Sequence, residues 1–424
     1  MQFPEELMRP PGVDGAPLAT PPAWRVPGAP EEMAGRTIEQ QQLLRQMPIS
    51  EIAFPRYEPG RIYSPPPPLM GAQMGRVHTL NVPPLGYELD GDVKVFHLIA
   101  QPVWRELTDG DASHLKLPQI ERNIVGGAGK WITHDQVPRY MLAWGYNGSV
   151  PGPTIEVTQG DRVRIVLKNE LPEPTSIHWH GAEIPNSQDG PSPEVHPPVM
   201  PGETHEYEFT FYQTGTLLYH SGFNVVKQDF MGLGGMLVIH PLEPRSTVDK
   251  DFIILHQEWR LRPNNPHPDI WGGPFNWITF NAKVAPSIEV MTVRQGDRVR
   301  IRQGNLSMTS HPIHLHGYTF RIVGTTGGPT PESAQMPRVT VSVEPGSTED
   351  IEFVAWNPGI WRFHCHKLHH IVNDVTFMPR GLMPHGGMFT YLHVLPREDG
   401  LPWRHPDQAR VEALKQRMQQ EGGK

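Results

Sequence analysis

Residues 159–165 read QGDRVRI, and residues 295–301 read QGDRVRI again. Each copy follows a short apolar run, PTIEVT at 153–158 and SIEVMTVR at 287–294. Thirteen residues beyond each closing isoleucine stands a histidine pair, His178 and His180 in HWHG, then His314 and His316 in HLHG, so an offset of 136 persists. PGETHEYEF at 201–209 then matches PGSTEDIEF at 345–353, and GTLLYHSGF at 215–223 matches GIWRFHCHK at 359–367, both at an offset of 144. Four landmarks in one order, in two copies, point to an internal duplication. The surrounding texture is short alternating or apolar runs broken by Gly, Pro and Asp, which predicts strands and an all-β fold of two sandwich domains, roughly 87–243 and 244–396.

The ends differ in character. Residues 1–86 are proline-rich, with SPPPPL at 64–69, and read as an extended arm with a short helix expected around TIEQQQLLRQM at 37–47. Residues 397–424 read as a tail whose DQARVEALKQRMQQ forms a short solvated helix. A net charge of −8 with mixed signs argues against nucleic acid and anionic membranes as partners. No apolar run reaches the ~18 residues of a membrane span, so a soluble chain is expected. The start, MQFPEELMRPPGVDG, lacks the layout of a signal peptide, which leaves a cytoplasmic protein or one whose leader precedes this numbering. The single cysteine, Cys365, excludes an intrachain disulfide.

The histidines carry the chemistry. On a strand, residues i and i+2 share a face, so His178 and His180 point together, as do His314 and His316. Converging neutral imidazoles are the commonest transition-metal ligands. In HCH, alternation sends His364 and His366 to one face and Cys365 to the other, so one strand end can serve two metal sites. A blue-copper centre needs one thiolate, two imidazoles and a weak axial thioether. Cys365, His370 five residues later and His311 at the head of HPIHLHG supply the first three. Met388 in PHGGMFTYLHV is the axial candidate, with Met378 and Met383 as competitors.

HWHG, YHS, HPIHLHG and FHCHKLHH…GGM resemble, in that order, the four copper motifs of the multicopper oxidases, the laccase-like family, over residues 90 to 396. Two cupredoxin-like Greek-key domains would place the chain near the bacterial two-domain branch. FHCHKLHH and GGMFTYL are similar to a subgroup of bacterial copper or metal oxidases, some linked to manganese oxidation. The resemblance implies up to four coppers per chain. A type 1 copper would sit at His311, Cys365, His370 and Met388, a type 2 copper at His178 and His314, and a type 3 pair at His180, His220, His316, His364 and His366. It implies four one-electron oxidations of a reductant, electron passage through Cys365 to its flanking histidines, and reduction of dioxygen to water. Asp189 in NSQDG matches an acid near the cluster with a proton-relay role, and reads equally as a turn-forming Asp-Gly.

Ser221 stands where Cys365 stands in the second copy, and Thr175 matches His311, so domain one lacks type 1 ligands. Gly222 matches His366, which leaves seven cluster ligands where the family has eight. The gap could be filled by water or Asn224, could cost one copper, or could mark a chain kept for electron transfer or copper binding. An oxidase is the favoured reading. Copper nitrite reductases share the two-domain architecture but carry the type 1 cysteine in domain one and lack HCH. The resemblance further implies a homotrimer with the cluster at the subunit interface, export to the periplasm or beyond, and a small-molecule or metal-ion reductant. A phenol, Mn(II), Cu(I) or a protein donor would approach over Ile371 to Gly387.

Overall fold

A computed structural model describes residues 73–74, 76–108, 140–244, 247–262, 265–270, 275–373, 386–398 and 404–421. The helix expected at 37–47, Met378 and Met383 lie outside these residues. The repeated QGDRVRI is a turn between two strands. Gly160 and Gly296 adopt φ of +89° and +103°, the left-handed region that favours glycine. Asp161 Oδ2 accepts from the Thr158 amide (2.6 Å), and Asp297 Oδ2 accepts from the Arg294 amide (2.8 Å). The arginines beyond each turn face outward while Val163, Ile165, Val299 and Ile301 are buried, the period-two pattern of a half-buried strand.

The N-terminal sandwich comprises β1 (Gly86–Asp90), β2 (Val93–Glu106), β3 (Tyr140–Tyr146), β4 (Ile155–Thr158), β5 (Arg162–Asn169), β6 (Ile177–His178), β7 (Thr204–Thr210), β8 (Gly215–Ser221), helix α1 (Val225–Met231) and β9 (Gly234–His240). One sheet runs β1-β2-β5-β7, with β3 also on β2, and the other β4-β9-β8-β6. The C-terminal sandwich repeats the plan with β10 (Lys250–Trp259), β11 (Trp277–Phe280), β12 (Met291–Arg294), β13 (Arg298–Asn305), β14 (His311–Leu315), β15 (Phe320–Thr325), β16 (Thr340–Val343), β17 (Thr348–Val354), β18 (Gly359–Cys365), helix α2 (Leu368–Val372) and β19 (Phe389–Leu395). Its sheets run β11-β10-β13-β17-β15 and β12-β19-β18-β14-β16. Helix α3 (Gln408–Glu421) is exposed along its length, as the tail composition predicts.

Each sandwich has its own core, and a smaller cluster of Leu218, Met236, Val238, Ile253 and Leu255 joins them. Gly304 permits the close approach, since a Cβ there would stand 2.5 Å from Met236 Sδ. Beside this apolar seam runs a buried polar one. Arg302 pairs with Asp251 (2.8 Å) and donates to Thr216 Oγ1 (2.6 Å), while Thr216 donates to Asp350 Oδ2 (2.8 Å). The residues before β1 strap both halves. Arg76 and Val77 amides bond Glu156, and His78 bonds Glu289 (2.8 Å).

Glu349 sits next to this seam, with Oε2 buried and unpartnered. Burial, and then Asp350, raise its carboxyl from 4.5 to about 7. A carboxyl whose folded value lies above its unfolded one favours the fold when protonated. Its contribution is therefore complete below the unfolded value and is lost as pH rises through about 7. Glu349→Gln is expected to raise the urea midpoint relative to wild type above pH 7 and to leave it unchanged near pH 4.5. An equal shift at both pH values would show that Glu349 does not titrate with folding.

Candidate metal centre

Strand β14 opens with His311, β18 ends in Cys365, and α2 carries His370; all three side chains are buried. His311 Nδ1 lies 3.1 Å from His370 Nδ1, and Cys365 Sγ lies 3.5 Å from His370 Nδ1 and 4.0 Å from His311 Nδ1. These separations approach the edges of a coordination shell with bonds of roughly 2.0 Å to nitrogen and 2.3 Å to sulfur. The tautomer of His311 follows from its far side. Ser307 Oγ donates to Asn305 Oδ1 (2.6 Å) and so accepts from His311 Nε2 (2.7 Å), which leaves the Nδ1 lone pair facing Cys365. Burial holds His311 far below the ordinary imidazole range, pushes His370 down to about 3, and pushes the Cys365 thiol up to about 11. Without a cation the three are neutral donors with converging lone pairs. A soft thiolate with two imidazoles fits copper.

Met388 is fully buried in the same core as Cys365. Its carbonyl accepts from the Cys365 amide (3.2 Å), and its amide donates to the His370 carbonyl (2.8 Å). Asn373 Nδ2 donates to Gly386 O (2.8 Å), which closes the chain between the two ligand segments.

The same place in the N-terminal sandwich holds Thr175, Ser221 and Gln228. The Thr175 hydroxyl donates to Gln228 Oε1 (2.8 Å), Ser221 Oγ lies 2.6 Å from that oxygen, and Gln228 Nε2 donates to Glu173 Oε1 and Pro174 O, both at 2.8 Å. Gln228 thus fills with neutral hydrogen bonds the position that its sister domain fills with donors. Sequence reasoning missed it, because α1 brings it there from outside the motif.

The remaining histidines form two sets. His178, His180 and His220 present ligand atoms within 4.8 Å of one another, with His180 Nδ1 3.2 Å from His220 Nε2. His178 Nδ1 is held by the Asp189 carbonyl (2.9 Å), with the Asp189 carboxylate at 3.5 Å. His220 Nδ1 faces the Ser221 carbonyl (3.0 Å) and the partly buried carboxylate of Asp229 (3.1 Å). Burial lowers His220, but the Asp229 hydrogen bond and charge outweigh it and the net shift is upward. A carboxylate behind an imidazole fixes its tautomer and strengthens the opposite nitrogen as a donor. Asp229 has no sequence signal, and the repeat puts Asn373 at its place in the second domain.

In the second set, His316 Nε2 lies 3.1 Å from His364 Nε2, and the ring of His314 stands 5.7 Å from those of His364 and His366. His364 Nδ1 donates to the Cys365 carbonyl (2.8 Å) and His314 Nδ1 to the Val339 carbonyl (2.6 Å). Burial and neighbouring imidazoles push His180 and His316 each down to about 4. Among the described residues, no hydrogen bond, ring contact or donor group joins the two sets.

Gly222 stands where the backbone leaves no room for a side chain. Its amide donates to Ser176 O (3.0 Å) as that of His366 donates to Pro312 O (2.6 Å), so the repeat holds in the backbone. A Cβ at 222 would stand 2.6 Å from Gly190 O and 2.7 Å from Ser176 Oγ. The turn carrying Asp189 and Gly190 closes over the position, and the Ser192 amide donates to Gly222 O (2.9 Å). No side chain, histidine included, fits at 222 without moving that turn. Gly222→Ala is therefore expected to destabilise the chain by about 1–3 kcal/mol, the usual cost of overpacking. Gly222→His should cost more and lower copper uptake at His178, Asp189 being displaced. A fully stable Gly222→His variant with added copper would overturn this.

Two multicopper oxidase family models match, at residues 128–244 and 261–378, together more than half of the chain. A probable nitrite reductase-hydroxylamine oxidoreductase fusion protein of Kuenenia stuttgartiensis is 28% identical over 56% of this chain and 28% of its own length. Mouse (Mus musculus) hephaestin is 27% identical over 58% of this chain and 22% of its own, and rice (Oryza sativa subsp. japonica) laccase-19 is 29% identical over 50% and 38%. The chain thus spans well under half of these relatives. Among solved structures, the blue copper oxidase from Nitrosomonas europaea superposes with a TM-score of 0.59 at 27% identity, covering 76% of this chain and 94% of that one. A copper nitrite reductase from the same organism, at 19% identity, TM-score 0.54 and coverage of 72% and 95%, shares the fold. The duplicated sandwich, its histidine sets and these matches agree: the chain belongs to the multicopper oxidase family.

Proposed function

We propose that this chain is a copper-dependent oxidase that takes electrons from a small reductant at the Cys365 centre and delivers them to a histidine-rich site where dioxygen is reduced to water. The observation that carries the reading is the division of HCH. Cys365 faces the core with His311 and His370, while His364 and His366 face the other histidine set. When bound, copper supplies one-electron redox chemistry at the first place and an oxygen-reducing cluster at the second. His311, Cys365, His370 and Met388 would hold the first ion. His178 and His314 would hold a type 2 ion, and His180, His220, His316, His364 and His366 a type 3 pair.

What the residues themselves do follows from their contacts. Cys365 joins the two places covalently, and the His364 Nδ1–H bond to its carbonyl adds a shorter connection. Asp189 and Asp229 fix His178 and His220 from behind. Asp189, with a side chain 31% exposed, is placed to pass protons from solvent.

The two histidine sets stay apart within one chain, which supports completion by a second copy. Apolar residues are exposed beside each set. Val225 (42%) and Val226 (61%) begin the helix that carries Asp229, and Val339 (50%) holds His314. We therefore propose a homotrimer in which domain one of each subunit meets domain two of the next, acting in the periplasm or outside the cell. The reductant is a phenol-like molecule or a metal ion.

The test is copper content, absorption and oxygen uptake on fully loaded protein, with Cys365→Ser alongside. The expected result is a cluster of several coppers, an intense blue band lost in Cys365→Ser, and oxygen uptake lost with it. One copper per chain without oxygen uptake would make this an electron-transfer or copper-binding protein. A monomer with full copper content would refute the shared site.

A further inference from the structure

The core-facing steps of the two domains run in the same order. Phe96, Leu98 and Ala100 on β2 lie parallel to Val163, Ile165 and Leu167 on β5, all buried in the N-terminal core. In the same register, β10 presents Phe252, Ile254 and then His256, and β13 presents Val299, Ile301 and then Gln303. The ladder matches in character except at two successive core positions: Gln303, opposite Ile254, takes the place that Leu167 holds opposite Leu98, and His256, opposite Asn305, takes the place that Ala100 holds opposite Asn169.

Both polar side chains are fully buried. His256 lies against Gln303, yet neither ring nitrogen nor either amide atom completes a hydrogen bond of good geometry. The ring of His256 meets that of His311 edge-on at 5.2 Å, with Phe280 at 5.3 Å. It does not join the donor group of His311, Cys365 and His370. Polar atoms left unpartnered in an apolar core oppose folding. Unpartnered polar atoms on two adjoining side chains suit an internal water, which takes two to four polar partners.

We propose that His256 and Gln303 hold internal water behind His311 and so keep the Cys365 centre in polar surroundings that lower its reduction potential. This rests on the copper reading of that centre. The oxidised centre carries one more positive charge than the reduced one. Polar groups and water stabilise the more charged form, and an apolar shell favours the other. In the N-terminal domain, where Ser221 replaces the thiolate, the same two positions are apolar.

The variants Gln303→Leu and His256→Ala/Gln303→Leu rebuild the N-terminal domain's residues at these positions. Spectroelectrochemical titration of the copper-loaded, full-length protein is expected to show the blue band at wild-type intensity. The midpoint potential should move upward in Gln303→Leu and further upward in the double variant. An unchanged or lowered potential in a folded, blue variant overturns the proposal. A change confined to the melting temperature of the metal-free protein would likewise reduce the pair to a structural role. If the double variant does not fold, Gln303→Leu alone decides. Wild-type protein without a thiolate–copper band would instead refute the copper reading itself, and the pair's role with it.

Discussion

The register between β14 and β18 is the constraint on which the rest depends. Ile313 pairs with Cys365 and His314 with His364. Because side chains alternate along a strand, a slip of one residue would turn Cys365 away from His311 and His370 and send His364 into the core. The slip is opposed by the core itself, since Ile313, Leu315, Phe363 and Cys365 are all buried on one side. The same packing that stabilises the C-terminal sandwich therefore aims both sets of ligands, and no separate device is needed to hold HCH across two sites.

Duplication then supplies two such frames, and divergence of a few side chains decides what each can hold. His178 and His220 pair as His314 and His364 do. The N-terminal frame lacks the thiolate and both imidazoles of the Cys365 centre, and Gln228 bonds Thr175 and Ser221 rather than leaving a buried polar gap. Gly222 belongs with this remodelling. The Gly190 turn that excludes a side chain at 222 is the turn whose carbonyl at 189 orients His178. Loss of one ligand and firm placement of another are thus two results of one loop, and Asp229 adds a carboxylate behind His220 where the other frame has Asn373.

What the sequence made legible was whatever repeats locally. Two copies of QGDRVRI, the HxH pairs and HCH encode period-two geometry, so the all-β class and the converging histidines could be read from spacing alone. The supporting groups could not. Asp229, Ser307, Gln228 and His256 act across strand pairings or from helices far along the chain, and none forms a motif. Position 222 was read as a missing ligand because a motif comparison shows which residue is absent but not which backbone has moved into its place. The separation of the two histidine sets could not be read from the spacing of the motifs, and only the family resemblance implied it.

Met388, proposed as the axial ligand, lies far from His370 in sequence but beside it in the backbone network. A long segment separates it from His370, yet its amide bonds the His370 carbonyl and its carbonyl bonds the Cys365 amide. Lengthening a loop costs little, about 0.6 kcal/mol for each doubling, provided that its ends are held. Here Asn373 holds them. It adopts φ of +55° and ψ of −150°, a region nearly confined to glycine, which its two side-chain bonds hold in place. Its Oδ1 accepts from the Ile278 amide (2.7 Å) on β11, and its Nδ2 donates to Gly386 O. Gly387 is obligatory next to it, because a Cβ there would stand 2.0 Å from the His370 carbonyl oxygen. The residues on either side of this segment are therefore anchored to the same core, which keeps the His370 and Met388 backbones together.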